Sequence, residues 1–330
     1  MYGWTGQILR VNLTDGTIQK EALSRKDAQD FIGARGLGTR YFVREVDPLV
    51  DPLAPENKLI FMTGPLTGTA AASAGRYNVI CKGPLTGAIA ASNSGGFWGP
   101  ELKFAGYDGI IFEGKSPYPV YLWIENEKVE LRRADRLWGK TVSEATDLIK
   151  GETDEEAKVA CIGPAGENLV KFAGVINEYS RAAGRSGVGA VMGSKRLKAV
   201  VVRGTLQVPI KDREKLSASV REFTPIVRTN AKGLTDFGTA GGLMGVEANG
   251  DLSIRNWSLG SWEEGAAKTC GQRIAETVFV SHYGCFACPI RCGKDVRLEV
   301  GPHAGTVCHG PEYETCDGFG ANLLNEDLNV

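Results

Sequence analysis

Lys58-Leu-Ile-Phe-Met-Thr-Gly-Pro-Leu-Thr-Gly68 and Tyr77-Asn-Val-Ile-Cys-Lys-Gly-Pro-Leu-Thr-Gly87 decide the fold. In each, an apolar run too short for a helix delivers the chain into the same Gly-Pro-Leu-Thr-Gly string, whose glycines and proline are turn formers. Each copy predicts a strand entering a loop, and the repetition predicts an internally duplicated sheet. Outward from this pair the strand signal continues. Leu9, Val11 and Leu13 alternate before Asp15-Gly16, a hairpin turn, and Ile18 restarts a strand. Further strands are expected at 109–113, 120–124, 128–131, 158–162, 172–176 and 199–203.

Helix signals are sparser. Ser24 with Asp27 opens a short amphipathic segment ending at Gly33, and Thr141 with Glu144 forms a capping box for a helix to about Lys150. After Val208-Pro209 the pattern changes. Asp212 caps a helix carrying Leu216, Val220 and Phe223, and 274–283 continues as a helical pattern toward the cysteines. The expected fold class is α+β. An N-terminal β-rich domain of two related sheets with flanking helices, 1–209, is followed by the start of a mainly helical domain, 210–330.

With 330 residues, 42% of them hydrophobic, the chain can bury a large core, and a net charge of −1 argues against a nucleic-acid stripe or an anionic membrane surface. The longest uncharged stretches, 59–75 and 83–100, are studded with Gly, Pro, Ser and Thr and suit no bilayer span. No signal-peptide pattern opens the sequence. Eight cysteines, three clustered and five scattered, make no secreted disulfide framework, so a reducing cytoplasm is expected. Glycine is abundant, 43 of 330 residues against an average near 7%. Backbone must come close to a ligand or turn tightly many times.

The clustered cysteines read Cys285-Phe-Ala-Cys288-Pro-Ile-Arg-Cys292. Spacings of two and three residues aim three soft thiolates from one turn, which suits an iron–sulfur cluster or zinc. Two other segments suit an anion. Arg76 and Lys82 flank a strand between Gly/Ser-rich loops, one ending Asn93-Ser94-Gly95-Gly96, and Arg181-Ala-Ala-Gly-Arg185-Ser-Gly-Val-Gly189 punctuates glycines with arginines. The latter lacks the Gly-x-Gly-x-x-Gly spacing and acidic residue of a dinucleotide loop. Cys81 and Cys161 sit in apolar strands and read as packing residues, as does Cys270. His282, His303 and His309 read as surface or structural groups. Glu312 and Glu314 would share one face of a strand.

Read together, Tyr2-Gly3, Gly64–Gly68, Gly75-Arg-Tyr-Asn-Val79, Asn93–Gly96, Glu101-Leu-Lys-Phe-Ala-Gly-Tyr-Asp108, Ile162-Gly-Pro-Ala-Gly-Glu-Asn168, Arg181–Gly189, the cysteine turn and Gly310-Pro-Glu-Tyr-Glu314 resemble the aldehyde:ferredoxin oxidoreductase family. The resemblance runs in order along the whole chain. It implies a tungsten, sometimes molybdenum, atom held by two pterins beside a 4Fe-4S cluster, and oxidation of aldehydes to carboxylic acids. Residue by residue, it implies that Arg76 lies between pterin and cluster. It makes Asn93, Gly95, Arg181, Ala182, Gly184 and Arg185 contacts of the tungstopterin, with Mg bridging the pterin phosphates near the carbonyls of Asn93 and Ala182. Cys285, Cys288 and Cys292 become cluster ligands, and Glu314 an acidic residue beside the metal that handles water or a proton. The implied domains are a bis-pterin domain, 1–209, and a partial helical domain, 210–330. Electrons would pass to ferredoxin or an electron-transfer subunit, and family members commonly form dimers.

Full-length members extend well past residue 330, so the fourth cluster cysteine and much of the substrate cavity are expected downstream or on a second polypeptide. By itself this chain is expected to be catalytically incompetent, with apolar faces exposed. Cys308 and Cys316 are the local alternatives for a fourth thiolate. Two other functions stay open: a relative of the same fold that reduces an aromatic thioester ring, and a zinc-clipped binding module using Cys285, Cys288, Cys292 and Cys308.

Overall fold

In the computed structural model, which describes residues 1–329, the Asp15-Gly16 hairpin joins β1 (Gln7–Asn12) antiparallel to β2 (Ile18–Ala22). Ser24 then caps α1 (Arg25–Phe31) by accepting the Asp27 N–H, and α2 (Ala34–Glu45) follows. The two Gly-Pro-Leu-Thr-Gly strings flank an antiparallel pair: the first follows β3 (Leu59–Thr63), and the second joins β4 (Tyr77–Lys82) to β5 (Ile89–Ser94). They are turns at opposite ends of neighbouring strands in one sheet. The repeat is thus one of turn chemistry, and the expected duplication of a sheet is not what it encodes. Helix α3 (Trp98–Phe104) leads to β6 (Gly109–Glu113), which closes a six-stranded sheet in the order β2-β1-β6-β3-β4-β5.

The second sheet takes β7 (Val120–Glu125), β8 (Lys128–Arg133), α4 (Val142–Glu152), β9 (Lys158–Cys161), α5 (Pro164–Glu167), β10 (Val175–Asn177), β11 (Arg181–Ala183), α6 (Val188–Ser194) and β12 (Leu197–Arg203). Its strand order is β11-β10-β9-β12-β7-β8. The capping box of α4 forms as read, Thr141 and Glu144 each bonding the other's backbone N–H. The expected strand at 172–176 shrinks to β10, because the chain there turns under Gly189, whose N–H bonds Ala173 O.

Alternation along each strand explains why these strands look apolar throughout. Leu9, Phe61, Tyr77, Val79 and Phe112 of one sheet face Leu122, Ile124, Val200 and Val202 of the other in a shared core. Their neighbours Ile8, Ile60, Ile80 and Ile111 point outward under Leu37, Tyr41 and Phe42 of α2, and Tyr121, Val159 and Val201 point outward beneath Ile149 of α4. Both faces of both sheets are covered, so the period-2 signal is hidden in the sequence. Cys81 and Cys161 pack fully buried in these layers, where burial pushes their thiols up to about 12 and about 11.

The chain divides into two compact units, Met1–Ser217 and 218–330. Helix α7 (Arg213–Asn230) begins where Asp212 accepts the Lys215 N–H, as the sequence suggests. The second unit holds α8 (Lys232–Phe237), α9 (Leu243–Ala248), α10 (Glu263–Thr269), α11 (Gly271–Thr277), α12 (Tyr313–Thr315) and a three-stranded sheet of β13 (Phe279–Tyr283), β14 (Gly293–Arg297) and β15 (Val307–His309). The expected helix over 274–283 stops at Thr277. Residues 279–283 pair with β14 instead, and tertiary pairing overrides the local pattern. Its core is Leu243, Leu252, Ile254, Ala266, Ile274, Val296 and their neighbours, while Trp257, Val300, Phe319 and Leu323 stand exposed. Among the described residues no helix is long and apolar enough to cross a membrane.

Candidate functional site

In the first unit the open edges of the two sheets, β5 and β11, meet, and with them the two loops singled out as anion sites. The Arg185 N–H bonds Ser92 Oγ at 3.1 Å. A buried knot lies behind this junction. Asn177 Oδ1 accepts from Tyr77 (3.0 Å) and Ser94 (2.6 Å), and its amide donates to Gly95 O at 3.0 Å. The N–H of Phe97 bonds Glu178 Oε2 at 2.7 Å. Only glycine serves at Gly96: its φ is +88°, and a Cβ would fall 1.9 Å from Glu178 Oε2. Burial holds the Glu178 carboxyl above its usual range, against the pull of the Phe97 N–H.

Arg76 stands exposed ahead of β4 and donates to Asn93 Oδ1 on β5, so two of the expected contacts are already joined. Gly95 is buried behind them, whereas Ala182, Gly184 and Arg185 are exposed and Arg181 is half-buried. The structure therefore brings Arg76, Asn93 and Gly95 together with Arg181, Ala182, Gly184 and Arg185. Guanidinium groups and accessible backbone on two abutting loops are a donor set that fits a phosphate-bearing cofactor. The sequence reading missed Asn177, Glu178 and Ser92, which together with Ser94 position these loops. Their one signal was Asn177-Glu178 just ahead of Arg181, where Glu178 and Tyr179 take left-handed backbone at φ 47° and 65°.

In the second unit the cysteine turn is the loop between β13 and β14. The Cys288 N–H bonds Cys285 O at 3.1 Å, Ala287 and Arg291 are left-handed at φ 50°, and Arg291 donates to His282 O at 2.7 Å. The ring of the cross-strand partner Tyr283 lies over Gly293, 2.5 Å from where a Cβ would be, so a larger residue there would have to displace that ring. Cys285, Cys288 and Cys292 are all half-buried. A single tetrahedral zinc ion with bonds near 2.3 Å needs its sulfurs within about 4 Å of one another. Among the described residues no three Cys, His, Asp or Glu side chains gather in that way. Each thiolate of a cubane cluster binds a different iron, so three half-buried thiols on one turn are a donor set that fits such a cluster. Cys308 lies exposed on β15, and Cys316 is buried in the helical core.

Lys294 is the buried cation beneath this turn. Only 4% exposed, its Nζ donates to Thr235 O, lies 3.4 Å from Cys292 O and 3.3 Å from His282 Nδ1. Burial pushes the ammonium below the lysine range, opposed by the nearby charge of Cys292, Asp236 and Glu312. His309 is bonded to Asp295 at 2.8 Å. Glu312 and Glu314 do not share a strand face. Glu312 precedes the α12 turn, its carboxylate accepting from Thr239 at 2.6 Å and not bonding the helix end, while Glu314 is exposed inside it.

The sequence matches the family descriptions "Aldehyde ferredoxin oxidoreductase, N-terminal domain" over residues 8–204 and "Aldehyde ferredoxin oxidoreductase, domains 2 & 3" over residues 217–330. It is 49% identical to the tungsten-containing aldehyde ferredoxin oxidoreductase of Pyrococcus abyssi, over 99% of this chain and 54% of that protein. An aliphatic sulfonate oxidoreductase, WOR-like subunit, of Pyrococcus furiosus is 35% identical over 98% of this chain and 54% of that one. Among solved structures, the active site complex BamBC of benzoyl coenzyme A reductase, with 1,5-dienoyl-CoA bound, matches at TM-score 0.80 and 34% identity, over 93% of this chain and 49% of that chain. The chain thus spans about half the length of the curated relatives it matches. With the order of motifs, the paired sheets and these likenesses in agreement, the chain belongs to the aldehyde ferredoxin oxidoreductase family.

Proposed function

We propose that this chain provides the tungstopterin-binding domain and three cluster thiolates of an enzyme that oxidises aldehydes to carboxylic acids. The observation that supports it most is the Ser92–Arg185 bond, which unites the two cationic loops that the family resemblance assigns to one cofactor. When bound, tungstopterin supplies the two-electron oxidation and the 4Fe-4S cluster relays single electrons. The residues present bind and orient. Arg76, Arg181 and Arg185 hold anionic oxygens, Asn93 and Gly95 fix the pterin edge, and Ala182 and Gly184 offer backbone. The backbone carbonyls of Asn93 and Ala182 are the groups that would hold Mg beside the cofactor. Cys285, Cys288 and Cys292 ligate the cluster, and Glu314 holds or moves a proton of the water that hydrates the aldehyde. Electrons leave to ferredoxin or a partner subunit. The family pairs such chains with one another or with electron-transfer subunits, and eight free cysteines suit a reducing cytoplasm. We divide the roles between 1–209 and 210–330.

A second reading, reduction of an aromatic thioester ring, is favoured by the likeness to benzoyl coenzyme A reductase, although identity to the aldehyde enzymes is higher. Anaerobic purification of the protein in its native context separates the two. Tungsten or molybdenum with iron, and aldehyde-dependent reduction of ferredoxin, are expected. Turnover of an aromatic thioester without aldehyde activity would replace this reading by the second, and zinc without tungsten or iron would end both.

A further inference from the structure

A buried ammonium needs an anion, because removing an unpaired charge from water is costly. Lys294 has none at ion-pair distance among the described residues: its neighbours are the carbonyls of Thr235 and Cys292, the ring nitrogen of His282 and, 6.0 Å away, the face of Phe279. Asp236 is taken up by Lys232, and Glu312 accepts from Thr239. Two residues before Lys294 stands Cys292, the last thiol of the turn, and the cross-strand pair His282↔Lys294 adjoins the pair Tyr283↔Gly293 that closes the turn's base. The lysine is thus fixed by the strand register under the loop whose thiolates, once loaded, carry the local negative charge.

We infer that the ammonium of Lys294 is a positioning charge for the cysteine turn that raises the reduction potential of the cluster held there. The inference rests on the reading of the turn as an iron–sulfur site. Reduction adds one electron to the cluster and one negative charge, with no bond formed or broken, and the electron comes from the aldehyde oxidised. A fixed cation close by favours the more negative, reduced form. His282 accepts from the lysine through Nδ1, which holds the ammonium toward the turn. Arg291, the other cation of the turn, is exposed and donates to His282 O, so its charge is better screened by water.

The test is a dithionite titration of the anaerobically purified, iron-loaded protein, followed by the electron paramagnetic resonance signal of the reduced cluster. Iron content is measured alongside. In Lys294→Met and Lys294→Gln the equilibrium constant for cluster reduction is expected to fall about tenfold, a shift of ~59 mV to lower potential for one electron. Lys294→Arg is expected to stay near the unsubstituted value. Equal potentials in all four proteins would overturn the inference while leaving the iron–sulfur reading intact. Equal shifts in the neutral and arginine variants, or loss of iron from both neutral variants, would overturn it too, since packing rather than charge would then be the lysine's contribution. Absence of iron from the unsubstituted protein would instead remove the iron–sulfur reading, and this inference with it.

Discussion

Asn177 shows how one buried side chain fixes two loops. Fully buried, it satisfies the hydroxyls of Tyr77 and Ser94 and the carbonyl of Gly95. Asn177→Ala strands all three, and at about 1–3 kcal/mol for each buried unsatisfied group the expected loss is at least about 3 kcal/mol. Chemical denaturation measures it, and a loss below about 1 kcal/mol would show that water replaces the amide. Glu45 makes the corresponding case for charge. Burial raises its carboxyl, but bonds from Arg10, Lys58 and Arg44 outweigh that and bring it down to about 2 from an ordinary 4.5. A depressed carboxylate stabilises above its unfolded pKa, so its contribution is present above about pH 4.5 and lost as pH falls toward 2. At 15% side-chain exposure the amount is about 3 kcal/mol. In Glu45→Gln the fall in stability between those pH values should flatten, and an unchanged acid limb would count against the assignment. The candidate site residues that sequence can offer are those with a chemical signature, the arginines, the glycines and the cysteines. Asn177 and Lys294 are not among them, because an amide or a lysine carries no spacing of its own and acquires its role only when distant strands close over it.

At the scale of elements, legibility followed period and caps. The opening hairpin, the capping box of α4 and the start of α7 were all readable because their signals are local: Asp15-Gly16, Thr141 with Glu144, and Asp212. Helices α2 and α3 were not. Helix α2 begins after Gly33 without a side-chain cap, and α3 is a short helix of buried residues, Trp98 to Lys103, whose tryptophan donates to Val200 O of the other sheet. Strand β11, three residues long and crucial to the site, has no propensity signal and exists because β10 presents an edge. The error at 279–283 has the same source, since pairing with β14 decided it. A local signal should have a local cost. Thr141→Ala removes a cap worth about 1 kcal/mol and leaves the sheets untouched. The loss should appear in thermal unfolding without change in near-ultraviolet dichroism from Tyr121 and Trp123, and a changed aromatic spectrum would mean that α4 also orders the outer face of the second sheet.

At the scale of the molecule, everything that builds the paired sheets is drawn from one stretch of chain. The three clusters that cover both faces of both sheets use residues between Ile8 and Val202. Two buried ion pairs hold the layers from within: Lys103 with Asp108, which also accepts the Thr5 and Gly6 N–H groups, and Lys198 with Glu167. A stretch of this length buries most of the surface its unfolded chain exposes and suffices for cooperative folding. Residues 1–217 expressed alone should therefore give a strand-rich dichroism spectrum and a single calorimetric transition. The same segment should bind inorganic phosphate weakly through Arg76, Arg181 and Arg185, with affinity falling as salt rises, because its cationic loops are joined by bonds within that stretch. Broad, non-cooperative melting would show that the paired sheets depend on the chain that follows. Cooperative melting without phosphate binding would keep the fold and relocate the anion site away from these three arginines.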